Sequence, residues 1–309
     1  MSDNPQMFVF AGPNGSGKSS TIKKLFNKIP SLYINADDIA REQGLSNLEA
    51  ANLAEKLRMG AIEKRESFAM ETVMSTPEKV AIMEQAKDKG FDVTFVFVCT
   101  QDSEINILRV EKRHLLGGHD VPEDKIRERY DRALELLPVA MEIADHSMIL
   151  NNSFDSPVLI AEKHQDAEIE LYAQEPPSKW DMKVLEDKIL NPLRERQEAY
   201  QEITGRYPQA VRADTSLWTA YDGPVVAVND YFAVQETVFG LVRHNKALCN
   251  MPIEQQTQEA VKIAYLPRHL AVQEQKKTAY ERVWQAVEAL DQKNYIRASF
   301  PEIMTSILL

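Results

Sequence analysis

The hydrophobic pattern changes period repeatedly along the chain. "MFVFA" at 7–11 is an unbroken apolar run and predicts a buried strand. After Gly17, Ile22, Leu25, Phe26 and Ile29 recur at helical spacing. "SLYINADDIA" predicts a short strand running into a polar turn, with Asp37 and Asp38 at the strand end. "SNLEAANLAEKLRMGAIEKRE" predicts a helix with Ser46 as its N-cap, and "SFAMETV" a strand. Thr76-Pro77-Glu78 opens another helix, ending near Gly90. "DVTFVFVCT" is almost entirely β-branched and aromatic, as in a strand covered on both faces. Helices follow at 102–116 and 122–144 around "GGHDVP", then a fifth strand, "HSMILNN". Strand–helix alternation to about residue 152 implies right-handed crossovers and a doubly wound parallel α/β sheet.

The pattern then shifts. "VLIAEKHQDAEIELYA" reads as a β-hairpin, "QEPPSK" as a linker, and "WDMKVLEDKILNPLRERQEAYQEITG" as helix with a break at Pro192. Three or four short strands are expected near 215–267, and a polar amphipathic helix at 270–293. Far upstream, His119 is read as stabilising the corner after Gly117-Gly118. This divides the chain into a P-loop-type domain with a helical lid (1–155), a hairpin, linker and helix (156–210), and a smaller C-terminal α+β module (211–309).

Composition narrows the class. With 309 residues, 44% of them hydrophobic, the chain can bury a core and is long enough for two domains. A net charge of -11 gives no global pull toward nucleic acid or anionic membrane, though it leaves room for a local basic cleft. Two cysteines, Cys99 and Cys249, make no disulfide framework, so a cytoplasmic setting is expected. No signal-peptide pattern opens the chain, and no apolar run nears the roughly 20 residues of a membrane span.

The chemistry is most legible at residues 12–20. Gly12-x-x-x-x-Gly17-Lys18-Ser19 is a complete Walker A pattern between a predicted strand and helix. Glycines let backbone N–H groups turn toward phosphate oxygens, and the helix start adds its positive dipole end. The expected ATP contacts are Gly12, Pro13, Asn14, Gly15, Ser16, Gly17, Lys18, Ser19 and Ser20. Lys18 would reach the β- and γ-phosphates and Ser19 would ligate Mg2+, while Pro13 and Asn14 fill permissive positions without an assigned role. Three further sets surround the loop. Asp37 is read as the base that accepts a proton from an attacking hydroxyl, with Asp38 as cap or support. Glu71 and Thr72 end an apolar strand and could hydrogen-bond a polyol. Arg109, Arg113, Arg127, Arg129 and Arg132 lie on the helices flanking Gly117-Gly118, as an arginine-bearing hairpin able to close over nucleotide. The guanine-specificity motif Asn-Lys-x-Asp is missing, which argues against a GTP switch.

"GPNGSGKSS", "INADDIA", "METVMS" and "GGHDVPEDKIRERYDRAL", in that order, resemble the zeta toxin family, P-loop kinases similar in fold to chloramphenicol phosphotransferase. The resemblance covers about residues 7–150 and implies ATP- and Mg2+-dependent phosphorylation of UDP-N-acetylglucosamine at its 3′-hydroxyl. It also implies toxicity relieved by an antitoxin. Carried onto this sequence it makes Lys18, Asp37, Arg113 and Arg129 or Arg132 catalytic, and puts Glu71 on the sugar. The stretch "YDGPVVAVNDYFAVQ", with "VRHNKALC" and "VKIAYLP", is similar to a KfrB-like β module of plasmid-encoded proteins. The alternatives are a kinase of another hydroxyl substrate, such as an antibiotic, nucleoside or polynucleotide end, or an ATP-gated module whose C-terminal half binds a partner. If that half restrains the kinase in cis, its removal should raise toxicity.

Overall fold

A computed structural model describes residues 4–25, 29–118, 120–165, 169–172, 183–216, 219–249 and 252–265. His119, the "QEPPSK" segment and the helix expected at 270–293 lie outside the described residues. The N-terminal half is built on one seven-stranded sheet in the order β2-β3-β1-β4-β5-β6-β7. Its strands are β1 (Gln6–Ala11), β2 (Leu32–Ile34), β3 (Phe68–Thr72), β4 (Asp92–Cys99), β5 (His146–Asn151), β6 (Val158–His164) and β7 (Glu170–Leu171). The first five run parallel, and β6 and β7 add on antiparallel, so the expected hairpin extends this sheet past residue 155. This is the doubly wound α/β architecture read from the alternation.

Helices cover both faces, because alternate residues of β1, β3 and β4 point to opposite sides. Met7, Val9, Phe95 and Phe97 face α3 (Asn47–Lys64), α4 (Glu78–Asp88) and α6 (Glu123–Ile143) in one large core. Phe10, Ala69, Val96 and Val98 pack with Ile22 of α1 (Lys18–Leu25) on the other side. Ser46 caps α3 as expected, in a capping box with Glu49.

Two local readings are corrected. Asp37 and Asp38 do not end a strand: β2 stops at Ile34, and both lie in the first turn of α2 (Ala36–Gln43). The cap is Asn35, not an aspartate, since its side-chain oxygen accepts the Asp37 N–H at 3.0 Å. Nor does Pro192 break its helix. A π-helical turn, Leu185–Leu190, runs directly into α7 (Asn191–Arg206), where Pro192 sits in the first turn. The N–H that Pro192 lacks falls where π-helical pairing gives way to α-helical pairing.

The C-terminal half carries more strands than expected. β8 (Val211–Arg212), β10 (Val225–Val228), β11 (Phe232–Thr237) and β12 (Gly240–Asn245) form a sheet ordered β10-β11-β12-β8, and β9 (Ala220–Gly223) pairs with β13 (Val261–Ala264). This module lies against α4 and α6. Glu84 of α4 accepts from the Thr215 hydroxyl at 2.8 Å and pairs with Arg212 at 3.0 Å. Arg196 of α7 pairs with Glu142 of α6 at 2.7 Å, its guanidinium between the Tyr231 and Phe232 rings. Among the described residues, no helix is long and apolar enough to cross a membrane.

Candidate active site

The loop between β1 and α1 is shaped by how closely other backbone approaches it. Gly12 has φ +142°, and a Cβ there would lie 2.0 Å from the Val98 carbonyl oxygen of β4. Gly15 has φ +78°, and a Cβ would meet the Asn106 carbonyl of α5 (Ser103–Leu115) at 2.4 Å. Gly12, and Gly15 at a variable position of the pattern, are therefore needed both for conformation and for space. Asn152, just past β5, donates to the Ser16 carbonyl at 2.7 Å and closes the loop from the far side.

Inside this loop, Lys18 Nζ donates to the carbonyls of Gly12 (2.7 Å) and Pro13 (3.0 Å). Burial pulls its pKa down, Glu71 and Asp37 oppose that, and Arg113 adds to it. A cation so desolvated, resting on carbonyls, is suited to turn onto an arriving phosphate. The Ser16 hydroxyl is buried with no hydrogen-bond partner among the described residues. The glycine cradle, the folded-back lysine and this orphaned donor fit a polyphosphate.

Glu71 is more occupied than its sequence suggested. Its carboxylate accepts from Ser19 Oγ (2.8 Å), Tyr33 OH (2.6 Å) and Asn35 Nδ2 (3.2 Å). Burial first, and then Glu71 itself, push the Tyr33 hydroxyl well above the usual phenol range. The carboxylate thus faces the serine that a magnesium ion would use, and Ser19 and Glu71 fit a hydrated Mg2+. Next to it, Thr72 Oγ1 accepts the Met74 N–H at 3.1 Å. Asp37 projects from the first turn of α2 as an exposed carboxylate that accepts no hydrogen bond from the described residues. Asp38 pairs instead with Arg41.

The lid is the α5–α6 hairpin. Tyr130 OH donates to the Thr100 carbonyl at 2.7 Å, fixing α6 to the end of β4. Arg109, Arg113, Arg129 and Arg132 all border the cleft, and one buried nitrogen of Arg109 has no partner among the described residues. Arg129 donates to Asn14 Oδ1 at 3.2 Å, and Arg132 pairs with Glu128 one turn back. Arg127 instead joins Glu104 and Glu123 on the outer surface of the hairpin. Asn14 had no role in the sequence, yet here it ties the phosphate loop to the lid. Asn35, Tyr33, Arg58 and Asn152 were also missed, because their partners are far off in the chain and leave no local pattern.

The cleft has a volume of about 1280 Å³, above the range of about 300–1,000 Å³ usual for a single small ligand. Nine basic and four acidic described side chains border it, in a chain whose net charge is -11. A phosphate cradle at the carboxyl end of a parallel sheet, with an arginine lid above, places this domain among P-loop phosphotransferases of the kinase type.

Comparison with known proteins narrows the class. The chain belongs to the zeta toxin family, whose model matches residues 1–165. An uncharacterized protein of Haemophilus influenzae is 32% identical over 126 residues, covering 39% of this chain and 89% of that protein. Among solved structures, an AvrRxo1-ORF1:-ORF2 complex superposes with TM-score 0.46 at 16% identity, covering 60% of this chain and 66% of that chain, just under two thirds of its length. A structure of the PezAT chromosomal toxin–antitoxin system of Streptococcus pneumoniae superposes with TM-score 0.40 at 16% identity, covering 66% of this chain and 88% of that one.

Proposed function

We propose that this chain is a cytoplasmic kinase toxin that transfers the γ-phosphoryl group of ATP to a hydroxyl of a UDP-activated amino sugar, UDP-N-acetylglucosamine, and that an antitoxin protein holds it in check. Asp37 carries the reading. Its exposed carboxylate stands in the same cleft as the phosphate loop, close enough to Lys18 to oppose the lowering of that residue's pKa by burial. A kinase needs such a carboxylate to take the acceptor's proton.

Each residue then has a task. Gly12 to Ser20 cradle the triphosphate, and Lys18 leaves its carbonyls for the phosphate oxygens. Ser19, ordered by Glu71, would hold Mg2+, which when bound neutralises charge on the β- and γ-phosphates. Asp37 accepts the hydroxyl proton as the acceptor oxygen bonds to the γ-phosphorus and the bond to the bridging oxygen breaks, releasing ADP. Thr72 and Glu71, both lining the cleft, would position the sugar. Arg113, with Arg129 or Arg132, balances charge on the group in flight.

The test is direct. Protein, ATP, Mg2+ and UDP-N-acetylglucosamine should yield a singly phosphorylated sugar nucleotide by mass spectrometry. Asp37→Ala should retain ATP affinity and lose about 100-fold or more in transfer rate. Lys18→Ala should lose both. Transfer only to a different hydroxyl acceptor would replace the sugar assignment, and ATP binding without any transfer would end the kinase reading.

A further inference from the structure

Asn35 joins two parts of the cleft that lie far apart in the chain. Its side-chain Oδ1 accepts the Asp37 N–H at 3.0 Å, and its Nδ2 donates to Glu71 Oε2 at 3.2 Å. The other oxygen of that carboxylate accepts from Ser19 Oγ at 2.8 Å. Three hydrogen bonds therefore run in series from the start of α1, through the end of β3, to the backbone of Asp37. The Asn35 amide fits one way round. Turned over, it would set its oxygen against a carboxylate and its NH2 against a backbone N–H.

Capping alone does not ask for this arrangement. Ser, Thr, Asp and Asn are all good N-caps. Among them, Asn alone carries an acceptor and, on a separate atom, a donor. Asp at this position would also cap α2, but would set a second carboxylate against Glu71.

The link matters because packing holds α2 weakly. No residue of α2 is buried, and Ala36 and Ile39 pack only partly against the core. An element with so little covered apolar surface opens at low cost. Asn35 adds a second hold on the backbone, since its carbonyl accepts the Ile39 N–H at 3.0 Å. The far end of the link is itself fixed: Tyr33 OH donates to the same Glu71 oxygen at 2.6 Å.

We propose that Asn35 is a positioning residue, which registers Asp37 against the phosphate loop through Glu71. The carboxylate that takes the acceptor's proton is then held at a set place relative to the phosphate cradle. The proposal rests on the kinase reading for the task of Asp37, but the link itself needs no acceptor.

The first experiment measures hydrogen exchange of the α2 amides, Asp37 to Arg41, in the protein alone. Asn35→Ser keeps a capping oxygen and loses the donor to Glu71. It should quicken these amides about tenfold while leaving Tm little changed. Glu71→Ala should quicken them to a similar degree, and the double variant no further than either. Exchange at the wild-type rate in Asn35→Ser, or two effects that multiply in the double variant, overturns the link. The second experiment measures transfer to UDP-N-acetylglucosamine beside ATP affinity. Asn35→Ser should lower kcat about tenfold or more with ATP affinity unchanged, and Asn35→Asp should do no better. Placed in Asp37→Ala, Asn35→Ser should remove no further rate. A wild-type kcat in Asn35→Ser, or a loss of ATP affinity as large as the loss of kcat, overturns the positioning role. If the amides quicken as described but the wild type phosphorylates no acceptor, the link stands and the kinase reading falls.

Discussion

His244 on β12 has two ring nitrogens, and its neighbours dictate the state of each. Gln235 gives both amide hydrogens to backbone, the carbonyls of Gly223 (2.9 Å) and Val261 (2.7 Å), so its oxygen is left to accept from His244 Nε2 at 3.1 Å. Nδ1 must then accept from Tyr265 OH at 2.9 Å. A neutral imidazole satisfies both contacts and an imidazolium does not. Burial agrees, lowering the His244 pKa from 6.5 to about 4. Because the folded value lies below the unfolded one, the stability contributed is complete above pH 6.5 and is lost as pH falls toward about 4. The shift corresponds to about 3 kcal/mol. Glu84, whose pKa burial raises, works with the opposite sign. Urea unfolding between pH 7.5 and 4.5 should therefore show a steeper loss for the wild type than for His244→Gln. Parallel curves would mean that His244 is not the titrating group. None of this was legible in "VRHNKALC", because Gln235 and Tyr265 lie elsewhere in the chain. By contrast Lys18 was legible, since its partners, the carbonyls of Gly12 and Pro13, are supplied by the same short loop.

At the scale of elements, the lid turns on the corner between α5 and α6. Gly117 takes φ +85°, and a Cβ on Gly118 would lie 2.6 Å from Arg113 Cγ and 2.9 Å from the Arg113 carbonyl. The corner thus folds beneath the stem of the arginine assigned to the moving phosphoryl group. Gly118→Ala should push Arg113 aside without touching the phosphate loop. A displacement of about 1 Å can cost about 100-fold. A fall in kcat of at least about tenfold is expected, with ATP affinity and Tm little changed, by steady-state kinetics beside a binding isotherm. An unaltered kcat would free Arg113 from that role. The hairpin was readable because Gly-Gly and Pro122 punctuate two helical patterns. The α2 cap was not, because "NADD" offers three capping side chains within four residues and only the fold selects Asn35.

For the whole molecule, the decisive fact is a shared core. Met7 and Phe95 of the parallel sheet belong to one continuous buried cluster with Ile189, Val225, Val242 and Tyr265 of the C-terminal half. The link is α4, nearly buried all round: Val80, Met83 and Glu84 are all under cover, and Glu84 meets Arg212 and Thr215 of the module. The first turn of α4 carries Lys79 into the cleft. A sequence read by composition breaks near 155 and 210 suggests separable parts, because shared burial between distant segments has no periodic signature. Removing residues 173–309 would expose that side of α4 to water and leave the Glu84 carboxyl without its counter-ion. We therefore expect loss of folding rather than release of a restrained toxin. Calorimetry on the intact chain should show one cooperative transition. Arg212→Ala should lower it as a unit by about 1–2 kcal/mol, less than a fully buried pair would cost because Arg212 is 40% exposed. Two separate transitions, or a soluble 1–172 fragment with higher phosphoryl-transfer activity, would return the C-terminal half to the role of a detachable brake.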